Sequence, residues 1–262
     1  MRFTVLGSGT IVPDTERGPP GFLIETSSAA WLVDGGSGTI QRCAFAGVDA
    51  RKLRGGFYSH LHPDHCAELV SLCFSMRAGP LPRTEDYVVY GAEGLAEHVN
   101  RLERVWSKSM QPGKGVLRVT EVPRSQSAEL SDLELQVLTA PAQHSRNAIH
   151  YRFESGGRSV VYSGDTGPSD ALVTLAKNCD LLVCECAGSD ERPIPGHMFP
   201  QAILALARQA RPKEIWLTHL YPHVNSSKAV QVVATSGIPT RHASDGDHWP
   251  RGSLPLDGPW RL

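Results

Sequence analysis

The segment His60-Leu61-His62-Pro63-Asp64-His65 constrains what this chain can fold into more than any other stretch. It places three imidazoles and a carboxylate within six residues, directly after a strand-like run over 55–59, and a helix starts near Asp64 or His65. Imidazole nitrogen suits zinc, iron and manganese, and carboxylate oxygen suits the harder of these. Side chains two apart on extended backbone share a face, so His60 and His62 can meet one ion. Asp64 and His65 lie past the turn and can reach a second. A lone histidine is more often a packed or surface residue. Four ligand groups in this order, after an apolar strand, point to metal.

Six residues cannot fill two metal sites, so further ligands must come from other strand ends. His144 follows the strand-like run 133–140, Asp165 lies just past 159–163, and His219 follows 214–218. Taken singly, Asp165 could cap the helix that begins at Ser169, and His219 could be a packed histidine. Together with the first segment they complete a pair of sites.

The remaining pattern sets the fold class. Strands are predicted over 3–6, 21–25, 30–34, 87–91, 116–122, 148–154 and 180–184, each short, apolar or β-branched and bounded by Gly, Pro or polar residues. Gly156-Gly157 reads as a hairpin turn. Helical spacing marks 37–46, 65–76, 94–108, 169–178, 200–209 and 226–236. Strand-rich segments come first, and strands then alternate with helices. This predicts two packed sheets with helices outside, an α/β layered sandwich. The loops 78–83 and 111–115 flank the helix 94–108 and could form a flap over a site. The tail from Asp247 on, rich in Pro, Gly and Trp, is expected to wrap the surface.

Composition excludes several classes. The 262 residues suffice for a full hydrophobic core, and 40% hydrophobic with 20% charged residues fits neither a disordered nor a fibrous chain. A net charge of -1 gives no general attraction to nucleic acid or anionic membrane, so an anionic substrate has to be drawn by a metal or a local patch. No apolar run approaches the roughly 20 residues of a spanning helix. The amino terminus goes straight into a strand pattern without a signal peptide. Six irregularly spaced cysteines with no CxxC pair fit a reduced, cytoplasmic setting. Cys184-Glu185-Cys186 reads as the end of a buried strand. Gly7 and Gly9 form a glycine-rich turn, but neither Gly-Lys-Ser/Thr nor GxGxxG is present, so no nucleotide cofactor is expected.

The His-x-His-x-Asp-His turn with later His, Asp and His residues resembles the metallo-β-lactamase superfamily. Further stretches are similar to its ribonuclease Z-like branch: Leu6-Gly7-Ser8-Gly9-Thr10 with Pro13 and Arg17, Trp31 to Thr39, Ser163-Gly164-Asp165-Thr166, Glu185-Cys186-Ala187 and Gly196-His197-Met198. The resemblance implies a four-layer αββα sandwich with two mixed sheets, in a single domain over 1–262. It assigns His60, His62 and His144 to one metal, Asp64, His65 and His219 to the other, and Asp165 as the bridge. Two zinc ions are implied, with manganese or iron as alternatives. Two such ions can hold a bridging hydroxide as nucleophile, which Asp64 can orient. His197 would act as general acid at the leaving group, held protonated and oriented by Glu185. The remaining histidines, His98, His150, His223, His242 and His248, are read as structural or surface residues. Of these, His223 and His248 are the ones expected nearest the pocket.

The chain departs from that branch in three places. Transfer-RNA processors carry a long arm between the histidine and aspartate motifs, but His144 and Asp165 are only 21 positions apart. Pro63 replaces the usual glycine after His62. The basic residues Arg77, Arg83, Arg101, Arg104, Lys108, Lys114 and Arg118 are scattered rather than gathered into the extended surface that RNA needs. The expectation is therefore a phosphodiesterase acting on a small phosphodiester or nucleotide-like substrate. RNA is the less favoured substrate, through a ribonuclease Z-type endoribonuclease. A sulfate or other ester on the same site, and a non-enzymatic metal- or nucleic-acid-binding module, are the competing readings. No membrane partner is expected, and a homodimer is possible, with the helix 94–108 as its surface.

Overall fold

The computed structural model describes residues 1–78, 82–123, 128–132, 134–252 and 255–262. The strands are β1 (Arg2–Gly7), β2 (Gly21–Glu25), β3 (Ala30–Gly35), β4 (Gly55–Phe57), β5 (Tyr87–Ala92), β6 (Leu117–Val122), β7 (Ala128–Asp132), β8 (Leu135–Pro141), β9 (Ile149–Ser155), β10 (Arg158–Tyr162), β11 (Leu181–Glu185), β12 (Ile215–Thr218), β13 (Thr240–His242) and β14 (His248–Trp249). The helices are α1 (Thr39–Phe45), α2 (Pro63–Cys66), α3 (Leu69–Arg77), α4 (Leu95–Trp106), α5 (Asp170–Leu175), α6 (Pro200–Ala210) and α7 (Ser226–Ala234).

One sheet has the order β14-β1-β2-β3-β4-β5-β6 and the other β13-β12-β11-β10-β9-β8-β7. Each contains three antiparallel pairings followed by three parallel ones: antiparallel from β14 to β3 and from β7 to β10, parallel from β3 to β6 and from β10 to β13. The period-2 alternation of strands builds the layers. Phe3, Val5, Trp31, Val33 and Phe57 of the first sheet meet Tyr151, Phe153, Val160, Leu181 and Val183 of the second in a shared core. Their neighbours point the other way. Leu6, Leu32 and Val89 pack with residues of α1, α3 and α4, and Val161, Leu182 and Cys184 pack with residues of α5, α6 and α7. The result is the four-layer αββα sandwich with mixed sheets. Burying each large side chain contributes about 1.5–3 kcal/mol, and strands such as β2, β3 and β11 are buried along their whole length.

Several expectations need correction. The helix predicted over 65–76 is two helices. Glu68 N–H donates to Gly35 O (3.0 Å) instead of back along a helix, and its carboxylate accepts Gly38 N–H (2.7 Å) at the start of α1. Pro63 takes the first position of α2, where its missing N–H costs nothing and its fixed φ suits the helix. In their described residues, 78, 82–83 and 111–115, the two expected flap loops do not cover the strand ends that carry His60 and Asp165. They precede β5 and β6, at the opposite ends of parallel strands, and bond to each other through Lys114 N–H to Arg83 O (2.8 Å). Residues 79–81 of that prediction, and Leu133 of the predicted strand 133–140, lie outside the described residues. The tail does more than wrap the surface. β14 extends the first sheet, and buried Trp260 donates from Nε1 to Glu25 Oε1 (3.0 Å). All six cysteines are buried and unpaired, and burial pushes the Cys43 thiol up to about 12. Among the described residues no helix is long and apolar enough to cross a membrane.

Candidate metal centre

The residues singled out in the sequence gather at one edge of the sandwich. β4 leads into His60, β8 into His144, β10 into Asp165, β11 ends at Glu185 and β12 leads into His219. The carboxyl ends of strands in such sheets are where ligands bind, because the loops there leave a crevice. Two glycines make the approach possible. Gly164 has φ 54°, and a Cβ there would lie 2.8 Å from Ser59 Cβ. A Cβ on Gly36 would lie 2.2 Å from Asp64 O.

Two groups of donor atoms result. In the first, His62 Nδ1 lies 3.0 Å from His60 Nε2 and 3.1 Å from His144 Nε2. Asp165 Oδ2 is 3.8 Å from both of those Nε2 atoms. In the second, His219 Nε2 is 3.4 Å from Asp64 Oδ2, and His65 Nε2 is 3.7 Å from the same oxygen. Asp165 Oδ1 lies 3.4 Å from His65 Nε2, and its Oδ2 3.6 Å from His219 Nε2. A tetrahedral shell with bonds of roughly 2.0–2.2 Å puts neighbouring donors roughly 3.3–3.6 Å apart. The spacings fall around that value, and Asp165 faces both groups.

Hydrogen bonds on the far side of three of the rings set their tautomers. His144 Nδ1–H donates to Gly196 O (2.9 Å), and His60 Nδ1 lies 3.1 Å from Ser59 Oγ. His65 Nδ1–H donates to Asp34 Oδ2 (2.8 Å). In each case Nε2 is left with its lone pair toward the cluster. Buried His65 Nε2 and Asp165 Oδ1 have no hydrogen-bond partner, which a bound cation would satisfy. Metal ligation needs neutral imidazole and ionised carboxylate. Burial, reinforced by neighbouring His65, lowers the His60 pKa well below its ordinary value. Burial alone would raise Asp165, but His219, His65 and His60 more than offset it and hold the carboxyl well below the usual range. At His65 burial would lower the pKa, but the Asp165 and Asp34 carboxylates outweigh it and raise it, so a bound ion there displaces a proton. The donor set and its orphaned atoms fit a pair of divalent ions.

Glu185 and His197 stand beside these groups. Glu185 is buried and accepts Thr166 N–H (3.0 Å), Ala187 N–H (2.9 Å) and His197 Nδ1–H (2.9 Å). The His197 ring centroid lies 4.7 Å from that of His144 and 6.0 Å from that of His219. Burial opposes a charge on His197, but the Glu185 carboxylate outweighs it and raises the pKa. His197 also comes within reach of Asp165 and His219 as a third donor grouping.

Sequence reasoning missed the support beneath the centre. Asp34, at the end of β3 with φ 52°, accepts four hydrogen bonds: Ser59 N–H (2.7 Å), Ser59 Oγ–H (2.7 Å), Tyr162 O–H (2.8 Å) and His65 Nδ1–H (2.8 Å). A carboxylate closing a wholly buried apolar strand was the available signal. Among the other histidines, His150 is fully buried and donates from Nδ1 to Ser163 O (2.6 Å), and burial lowers its pKa to about 4. His98 Nε2 lies 3.8 Å from Cys66 Sγ, the His223 ring is tilted against that of Tyr221 with centroids 6.0 Å apart, His242 sits in β13, and His248 pairs with Thr4 at a sheet edge.

A four-layer sandwich with paired His/Asp clusters at its strand ends defines a metal-dependent hydrolase. The profile of the beta-lactamase superfamily domain matches residues 22–220. The chain belongs to that superfamily, in its ribonuclease Z-like branch. It is 31% identical to a ribonuclease Z of Mycobacterium bovis over 201 residues, covering 70% of this chain and 69% of that protein. A ribonuclease Z of Mycobacterium tuberculosis is 28% identical over 252 residues, covering 88% of this chain and 89% of that one. Among solved structures, the metallo-beta-lactamase fold protein YhfI from Bacillus subtilis superposes with a TM-score of 0.82 at 24% identity, covering 95% of this chain and 98% of that chain.

Proposed function

We propose that this protein hydrolyses phosphodiester bonds at a two-metal centre, and that RNA is its substrate class, as the name of its ribonuclease Z relatives suggests. The observation that carries phosphodiester chemistry is the His197–Glu185 pair, an imidazole whose Nδ1 is held 2.9 Å from a buried carboxyl group beside the donor clusters. In this reading His60, His62 and His144 hold one ion, Asp64, His65 and His219 the other, and Asp165 both. Zinc suits this imidazole-rich set, and manganese or iron also fits. Bound ions of this kind polarise a phosphoryl oxygen and activate water at neutral pH. The chain's own residues do the rest. Asp64 would accept a hydrogen bond from the attacking water and orient it, and His197 would donate its proton to the departing oxygen. Glu185 fixes the ring so that the same nitrogen always faces the reaction.

The 21-position interval between His144 and Asp165, filled by the β9–β10 hairpin, favours small phosphodiesters as the second reading. It weighs less than the relatives do, because the Mycobacterium tuberculosis alignment takes up nearly the same share of both chains. A metal-loaded comparison decides. A 3′-extended transfer-RNA precursor, bis-p-nitrophenyl phosphate, cyclic nucleotides, p-nitrophenyl sulfate and a lactone panel would be assayed side by side. RNA cleavage with phosphodiester turnover supports the proposal. Turnover of small diesters without RNA cleavage supports the second reading, and sulfate or lactone turnover alone overturns both.

A further inference from the structure

A concavity lies on the outer face of β1, behind the metal centre. Its volume is about 660 Å³, inside the roughly 300–1,000 Å³ range of small-molecule sites. Phe3 and Val5 point into the core between the sheets, so Arg2, Thr4 and Leu6 share the opposite face, toward α1. Leu6, Phe45 and Ala46 give the cavity an apolar wall, and the Phe45 ring, 81% exposed, stands unburied at that wall.

Its polar groups are less ordinary. Thr4 is 4% exposed, yet its Oγ1 has no hydrogen-bond partner. Arg2 Nε is also buried without one. Leaving a buried donor unsatisfied is costly, and here two sit two residues apart on one strand face of one cavity. The charge is unbalanced in the same place. Glu25, opposite Arg2 in the sheet register, already accepts Trp260 Nε1–H (3.0 Å) and the Arg261 guanidinium (2.5 Å). The Glu25 carboxylate thus faces the charges of both Arg261 and Arg2, bonding only the first. On the opposite wall Asp245 is saturated, accepting Ser8 N–H and Oγ–H, Gly18 N–H and Arg42 Nε–H at 2.8 to 3.2 Å. It adds no unpaired negative charge.

We propose that this cavity binds an amphipathic organic anion, with a carboxylate or sulfonate head bonded by Arg2 Nε–H and Thr4 Oγ–H and an apolar body against Leu6, Phe45 and Ala46. The site adjoins the rear of the metal centre: Ser8, held by Asp245, accepts the His219 backbone N–H at its carbonyl (2.9 Å).

The test is a fluorescence titration of the full chain with 1-anilinonaphthalene-8-sulfonate, followed by competition with octanoate and with octylammonium. One probe should bind per chain, and octanoate should displace it at least tenfold better than octylammonium. Arg2→Gln and Thr4→Val should each weaken binding at least fivefold, and Ala46→Trp, which fills the cavity, should abolish it. Thermal unfolding of each variant checks that it is folded. If Thr4→Val does not fold, Arg2→Gln, at a partly exposed side chain, still decides. Equal displacement by the two competitors, or unchanged probe affinity in folded Arg2→Gln, overturns the proposal.

Discussion

The two donor groups share Asp165 but sit in different surroundings. Asp64, His65 and His219 are all buried, and His65 is fixed from behind by Asp34, which also ties β3 to Ser59 and to Tyr162 of the other sheet. His62 is exposed and His144 half-buried, and the group they form with His60 opens beside His197. One group is part of the folded core; the other faces the entrance. Damage to the buried side should therefore appear in stability and metal affinity, and damage to the open side in turnover.

Substituting the residue common to both should have the largest effect. Asp165→Ala should lower phosphodiester turnover by roughly a thousandfold or more, as expected from losing several kcal/mol of metal-centred stabilisation. Elemental analysis should find fewer than two ions per chain; two ions at full occupancy would contradict the shared role. On the open side, His197→Ala should cost about 10²–10⁴ in kcat while the metal content stays at two. Loss of an ion in that variant would make His197 a ligand and remove the proton donor from the scheme.

Effects on the buried side are smaller in rate and larger in stability. Asp34→Ala leaves His65, Ser59 and Tyr162 without their acceptor. Metal affinity should fall about 10–100-fold, and denaturant unfolding should show a loss of about 3 kcal/mol. A variant with unchanged stability would break the contrast between the two sides. The smallest effect is a shift in pH dependence. The raised pKa of His197 keeps the imidazolium at pH values where a free histidine, near about 6.5, is neutral. Turnover should fall as pH rises through that raised value. In Glu185→Gln the pKa drops, so the fall should begin at lower pH. An unchanged alkaline limb would mean that another group controls it.

Much of this contrast was legible in the sequence where ligand residues come directly after apolar strands. His60, His62, Asp64 and His65 announce themselves because four donors crowd one turn. His144, Asp165 and His219 each stand alone, marked only by a position at the carboxyl end of an apolar strand. Asp34 escaped because its partners, Ser59 and Tyr162, are distant in the chain and meet only when the sheets pack. The layer architecture was readable from periodicity, but the edges were not. β13 is the polar run Thr-Arg-His, with no buried residue to set a period, and β14 is two residues long. β7 alternates correctly, yet its inward Asp132 conceals the pattern. That carboxylate is satisfied by Trp31 Nε1–H, Tyr90 O–H and Arg54 Nε–H, which no local reading could supply. The break between α2 and α3 was hidden for the same reason, since Glu68 takes its partners from β3 and the start of α1.

The most direct test of the central claim is a stoichiometric metal titration. Protein stripped with a chelator would receive zinc in fractional equivalents while bis-p-nitrophenyl phosphate turnover and bound metal are measured on the same samples. A paired centre predicts little turnover at one equivalent and full turnover at two. Full turnover at one equivalent, or none at two with both ions bound, would contradict it.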